Sequence, residues 1–519
     1  MKNKRNKIFN ICLILLYSIV IIFISKIHEF SIDELQSWLI ARDLNLIDVI
    51  KQMKYEGHSF FWHLIIYPLA HFGISIYFQK AIPIIFCIIT AIIIVKKAPF
   101  DNFIKVLLIF SPAMLFYSSQ FARPYCLIPL LLVCILLIYQ KKDKHPYIYA
   151  ILLGLLANMH LIVFPIVGML ALYFWGEKLF LHFKELSKKE KVNYVMSLIV
   201  LIIFILILAT VTLFGLFNCK IVSEYEGIFD FIKRFFFSFI FNVVQFFQIL
   251  LAKYNVSIIG ATICFIGLIY IFYSARYDFK NGLLFILQFV FMCFVHILFW
   301  FPIPSRVFLI IYEVMFWLWI YKLENKDNDK IPKFKKYNLL EWGLIFFLIS
   351  TIPNNLSLIY KDITHNYTFG QEASKYIEKN IPENSVIIST ATDRQQFLAA
   401  FLDKDKYKIY NVIEKDFITF TTWNDKFKTE IDVGDVINSY NDLKNNYENI
   451  YLFFVTLPDD NRIYDYEEIK KEYFEKLTEH FLEEGFKLEE VYSSQTKDGI
   501  EGYYIDDAVG IYLLKMSEV

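Results

Sequence analysis

Five polar clusters interrupt a largely apolar chain, and each holds residue types that can do chemistry. They are Asp33-Glu34 within Ser31–Trp38, Gly57-His58-Ser59, Arg123-Pro124-Tyr125, Asn158-Met159-His160, and Arg306 after Phe301-Pro302-Ile303-Pro304-Ser305. Two adjacent carboxylates at the end of an apolar run cost several kcal/mol to desolvate unless the charge has a use. One such use is general base catalysis, in which a carboxylate takes the proton of an attacking hydroxyl. An arginine fork suits bidentate capture of phosphate or carboxylate, and Pro124 limits the helix start and holds Arg123 at its boundary. Each cluster also has a purely architectural reading. Asp33-Glu34 makes a favourable helix start, Arg123 can snorkel, and Arg306 can anchor a helix at the interface. His58 and His160 can cap helix ends, and Asn158-Met159-His160 can fix a tight corner.

The elements that position these groups follow from composition. Of 519 residues, 57% are apolar and 18% aromatic, and the mean hydropathy is +0.45. This excludes disorder and an ordinary soluble enzyme and points to a polytopic α-helical membrane protein. The net charge is zero but unevenly spread. Residues 360–519 hold 18 Lys+Arg against 32 Asp+Glu, leaving 34 and 20 for the body. The excess of Phe, Ile, Lys and Asn suits an AT-rich bacterial genome. All seven cysteines precede residue 300 without metal-ligand spacing, and read as small core residues.

The basic Met1–Lys7 followed by apolar 8–27 reads as an uncleaved first span with a cytoplasmic N-terminus. Residues 33–56 recur at helical spacing and read as an amphipathic helix lying on the membrane. Segment 60–72, broken by Pro68, reads as a second interfacial piece, because counting it as a crossing puts Lys96-Lys97 and Lys141–Lys144 outside. Spans then fall at 76–95, 103–118, 124–139, 147–159, 161–176, 192–215, 255–274, 282–300, 306–321 and 339–356. An aromatic segment at 235–251 lies on the outer surface. The result is about eleven transmembrane helices in a domain over 1–359, whose outer loop 28–75 carries the acidic pair. A C-terminal soluble α/β domain follows over 360–519, outside the cytoplasm. In it, 372–380 and 466–484 read as helices, and 386–389, 450–455, 503–504 and 511–514 as strands. Asp33, Glu34, His58, Arg123, Tyr125, His160 and Arg306 all fall at the outer face, an outcome set by the lysine-rich loops.

The acidic pair after the first span, Gly57-His58-Ser59, Ser111-Pro112 leading to Arg123-Pro124-Tyr125, and the Asn158–Leu161 corner resemble the GT-C superfamily of integral-membrane glycosyltransferases. The resemblance is nearest the protein O-mannosyltransferase and aminoarabinose-transferase branch. It covers roughly 1–320 and is strongest over 28–175. It implies a polyprenyl-phosphate-linked sugar donor, an acceptor at the outer face of the cytoplasmic membrane, and inversion at the anomeric carbon. Carried over, Asp33 is the catalytic base. Glu34, His58, Arg123, Tyr125, His160 and Arg306 contact substrate, the two arginines by way of phosphate. Ser59-Phe60 stand where relatives often have two prolines, and Tyr125 where they often have an acidic residue. The metal site is therefore undefined, although the family leaves room for a divalent cation. The implied partners are the lipid-linked donor, the membrane, and a protein, lipid or glycan acceptor of the cell envelope, with no nucleic acid.

Two other classes compete: a multispanning transporter or lipid flippase, and a non-catalytic envelope-assembly scaffold. No ionisable residue is expected in the middle of a span, and no inverted repeat is visible, which tells against transport.

Overall fold

Within a bilayer no water satisfies backbone polar groups, so a long apolar run is driven into helix. The computed structural model describes residues 2–56, 58–210, 229–230, 232–234, 256–298, 307–326, 329–364, 368–424, 426–428, 431–456, 466–494 and 510–518. The chain is mostly helical, with a sheet towards its C-terminus. Six helices are long and apolar enough to cross a membrane: Arg5–Ile27, Ile76–Lys97, Pro124–Lys141, Leu161–Leu181, Lys188–Leu208 and Leu339–Thr364. Shorter apolar helices run over Pro146–Ala157, Ile259–Ser274 and Phe279–Val295. The expected segment 235–251, the strand expected at 503–504 and Arg306 lie outside the described residues.

The expected span 103–118 is not one helix. Asn102–Ile109 is helical and Ala113–Tyr117 forms a separate wide turn. Pro112 between them lacks an N–H and disrupts the helix ahead of it.

The chain forms two compact units, one of residues 1–27, 56–62 and 80–360, the other of 28–55, 63–79 and 361–519. In the first, helix Leu309–Glu324 is buried at every position from Leu309 to Tyr321. A helix buried on every side belongs in the middle of a bundle, and this one packs against Ile128–Ile138, Phe279–Leu298 and Leu339–Ser350. Helices Val256–Ser274 and Leu339–Ser350 cross very closely. A Cβ on Gly267 would lie 2.8 Å from the Gly343 carbonyl oxygen, so only glycine fits this crossing.

The second unit is built on a five-stranded sheet of β1 (Ser385–Ser389), β2 (Tyr407–Asn411), β3 (Ile450–Thr456), β4 (Phe486–Ser493) and β5 (Gly510–Glu518). The spatial order is β2-β1-β3-β5-β4. The first three strands are parallel and β5 runs antiparallel to β3 and β4. Val386, Ile388, Leu452 and Leu514 on one sheet face pack with Val436, Tyr440, Leu477 and Phe481 from helices Val433–Leu443 and Tyr466–Glu483.

The amphipathic surface helix expected over 33–56 is replaced by two helices, Ile32–Asp43 and Leu46–Gln52. The break falls at Asn45, whose side chain accepts from the Ile47 and Asp48 N–H groups and so starts the second helix. Residues Glu34–Ala41 are buried, and Gln36 among them bonds to the C-terminal part of the unit. The Gln36 amide grips the Thr421 backbone, its Nε2 donating to the carbonyl at 2.7 Å and its Oε1 accepting from the N–H at 2.9 Å. Gln396 donates to the same Oε1 at 2.8 Å. Arg42 donates to the Ala399 carbonyl, while Asp43 takes bonds from Arg42, Lys404 and Thr419. Burial pushes the Asp43 carboxyl up, but these donors outweigh it and hold it below the usual carboxylate range. Glu29 accepts from Thr368, and His28 meets Asp362 at 2.9 Å with both side chains wholly buried.

Replacing Gln36 by leucine leaves a buried N–H and C=O at Thr421 unsatisfied, a loss of about 2 kcal/mol. Hydrogen exchange on the full chain in detergent is expected to show the Thr421 N–H exchanging roughly 10–100-fold faster in Gln36→Leu.

Candidate functional site

In the helical unit the backbone sets the polar residues in a row. Pro124 at the first position of the turn Pro124–Leu127 leaves Arg123 extended at its N-cap, with φ −132° and ψ 164°. The Arg123 guanidinium lies 5.0 Å from the centre of the Tyr125 ring, a cation–π contact. The Tyr125 ring meets His160 edge-on at 5.2 Å. His160 caps the turn Leu161–Val163, its Nδ1 accepting from the Ile162 N–H at 3.1 Å. A ring nitrogen that accepts carries no proton, so the neutral imidazole has its proton on Nε2. Arg123, Tyr125 and His160 are thus brought together, and Arg123 and His160 offer N–H donors, which suits an anion.

Behind them the row continues inward. Gln288, on helix Phe279–Leu298, donates to the Ile162 carbonyl and accepts from the Ile166 N–H. Its amide also faces Glu313. Glu313 is buried in the middle of helix Leu309–Glu324, with neither carboxyl oxygen in a well-formed hydrogen bond. It falls in the middle of the expected span 306–321, where no ionisable residue was expected. The signal was present in the sequence, since Glu313 is flanked by Ile310-Ile311-Tyr312 and Val314-Met315-Phe316, and an acid in such a run is a functional candidate by default. Gln288 had no such signal, because a glutamine in a long helix marks nothing until its partners are known.

Ser118, at the end of the expected span 103–118, and Ser119 and Gln120, expected in the outer turn that follows it, are buried. Ser118 bonds the Tyr312 hydroxyl at 2.6 Å, and Gln120 donates to the Ile21 and Leu115 carbonyls. Asn158 donates to the Gly154 and Phe204 carbonyls, fixing the corner that ends in His160. His58 belongs to the same unit and is buried, its Nδ1 3.4 Å from the Ser59 carbonyl. Burial pushes its imidazole down to about 4, so at neutral pH it meets any substrate uncharged.

Asp33 and Glu34 belong to the second unit. The Glu34 carboxylate reaches back to the Ser31 N–H and hydroxyl, both at 2.9 Å, closing the start of helix Ile32–Asp43. Glu34 therefore has an architectural task, whereas Asp33 beside it is exposed. An exposed carboxylate is of the type that can take a proton from an attacking hydroxyl. Among the described residues no group of three or more His, Cys, Asp or Glu is placed to hold a metal ion.

His58 also gives a pH signature. Its folded value lies below its ordinary 6.5, so the unfolded chain binds the extra proton between the two. The stability carried by the neutral ring is complete above pH 6.5 and is lost as pH falls from 6.5 towards 4, on the order of 3 kcal/mol in all. The ring-proton shifts of His58 are expected to stay neutral-like down to about pH 5, and His58→Gln is expected to flatten this part of the stability profile.

Compared with known proteins, the chain matches no family model and no curated sequence.

Proposed function

We propose that this chain is a membrane glycosyltransferase that moves a sugar from a polyprenyl-phosphate donor to an acceptor at the outer face of the cytoplasmic membrane. The observation that carries this reading is the row of half-buried Arg123 and buried Tyr125 and His160, an arrangement suited to an anion and set among apolar helices. A lipid-linked phosphate is an anion that arrives through the bilayer, so this site needs no nucleotide-binding loop. In the proposed reaction Asp33 accepts the proton of the acceptor hydroxyl as its oxygen attacks the anomeric carbon. The bond from that carbon to the phosphate oxygen breaks with inversion, and polyprenyl phosphate leaves as an anion. Arg123, with Arg306, neutralises the phosphate, so the leaving group needs no proton. The reading keeps the eleven-span topology, with the N-terminus inside and residues 360–519 outside as a soluble domain.

The test is transfer from a panel of polyprenyl-phosphate sugars by the purified chain. Asp33→Asn is expected to lower turnover by about 10²–10⁴-fold with donor binding unchanged, and Arg123→Ala to weaken donor binding. Equal turnover in wild type and Asp33→Asn would remove Asp33 from the role of base.

One observation favours a second reading. Glu313 is a carboxyl group in the middle of a helix within the bundle, the kind of residue that marks a transport pathway. The two readings separate on Glu313→Gln in proteoliposomes. A transferase is expected to keep its turnover within a few-fold, and a transporter is expected to lose solute movement.

A further inference from the structure

The second unit contains a cavity of about 340 Å³, apart from every residue assigned above to sugar transfer. Its walls come from helix Ile32–Asp43, the loop after helix Phe61–His71, helix Gly370–Asn380 and the segment following Gln396–Ala399. The loop is set by a Gly73-terminated helix end. The Ile74 N–H bonds the Leu69 carbonyl and the Gly73 N–H bonds that of Ala70, with Gly73 at φ +75°. This turn brings Tyr77 to the rim.

Two kinds of group face the cavity. Trp38, Tyr77 and Phe401 supply aromatic surface. Phe30, buried beneath, contacts both Tyr77 and Phe401, with ring centres 5.8 and 6.1 Å away, and so fixes both rings before anything binds. Gln371, Lys375 and Glu378 lie along one side of helix Gly370–Asn380 and line the cavity. Among the described residues, none of these three side chains is bonded to another side chain or to the backbone.

We infer that this cavity binds a pyranose unit of an uncharged saccharide. A pyranose has flat C–H faces for aromatic rings and an equatorial belt of hydroxyls, each of which both donates and accepts. Gln371 offers an amide that does both, Lys375 donates and Glu378 accepts, and the facing charges of the last two balance, while the third charged lining residue, Arg42, is already paired with Asp43. An anionic ligand would meet Glu378. An apolar peptide side chain would leave the polar wall desolvated without partners. The size suits one small ligand.

The inference is independent of sugar transfer, because binding is read without any lipid-linked donor. Saturation-transfer NMR on the full chain in detergent would screen methyl gluco-, galacto-, manno- and N-acetylglucosaminides, with a polar tetrapeptide as comparison. At least one methyl pyranoside is expected to give a saturable signal that weakens at least tenfold in both Tyr77→Ala and Gln371→Ala. Phe417→Ala, at an exposed ring elsewhere in the unit, is expected to leave it unchanged. Tyr77 is 52% exposed, so its truncation removes one ring contact of Phe30 and little buried surface, and Lys375→Ala, at a side chain that packs against no ring among the described residues, is expected to weaken the signal in the same way. The inference falls if no pyranoside gives a saturable signal, if the signal survives Tyr77→Ala and Gln371→Ala, or if the tetrapeptide displaces it equally well.

Discussion

The grip of the Gln36 amide on the Thr421 backbone is the interaction on which the second unit depends. It turns a helix near the N-terminus into a wall of a domain whose sheet begins some 350 residues later. A planar amide that donates to a carbonyl and accepts from the N–H of the same residue reproduces the pairing of a strand neighbour, and burial makes both bonds costly to lose. Asp33 and Trp38 ride on that helix. The exposed carboxylate and the aromatic wall of the cavity are therefore both held by a contact that involves neither.

The sequence legible as membrane helix was legible because a bilayer leaves few alternatives. A run such as 76–95 admits only a spanning helix, and helix Ile76–Lys97 contains it. In the tail, 450–455 was readable as a strand because Ile450–Val455 is an apolar run of strand length between polar loops. Residues 33–56 were misread for a definite reason. Leu35, Trp38 and Leu39 at helical spacing, beside Arg42 and Asp43, make the same pattern whether the polar face meets water or Ala399, Lys404 and Thr419. Periodicity reports that one face is apolar; it does not report what the other face touches. Strand β2, Tyr407–Asn411, escaped for a related reason, since Lys408 and Asn411 dilute its apolar character while its pairing with β1 is set by residues far from it in sequence.

Within the proposed site, legibility followed chemistry. Arg123 and His160 stand out in sequence because charged and titratable groups are rare beside apolar runs, and the structure joins them through Tyr125. What the sequence could not supply is His160's orientation, which depends on the Ile162 N–H. Spacing likewise gave no hint that the row runs on through Gln288 to Glu313.

That continuation bears on how the two functional readings should be weighed. A carboxyl group inside a bundle persists only if a neighbour repays its desolvation or its charge is used. Gln288 is already engaged at Ile162 and Ile166, and those bonds hold the segment that follows His160. A change at Glu313 that shifted Gln288 would reach His160 through one backbone turn, without any solute passing Glu313. A carboxyl that acts in this way would tune the proposed donor site through Gln288, and its removal should alter donor affinity more than turnover. A carboxyl on a transport path would show the opposite, with movement abolished and donor affinity untouched. Glu313 within the bundle is thus no argument for transport by itself, because its neighbour Gln288 leads back to His160.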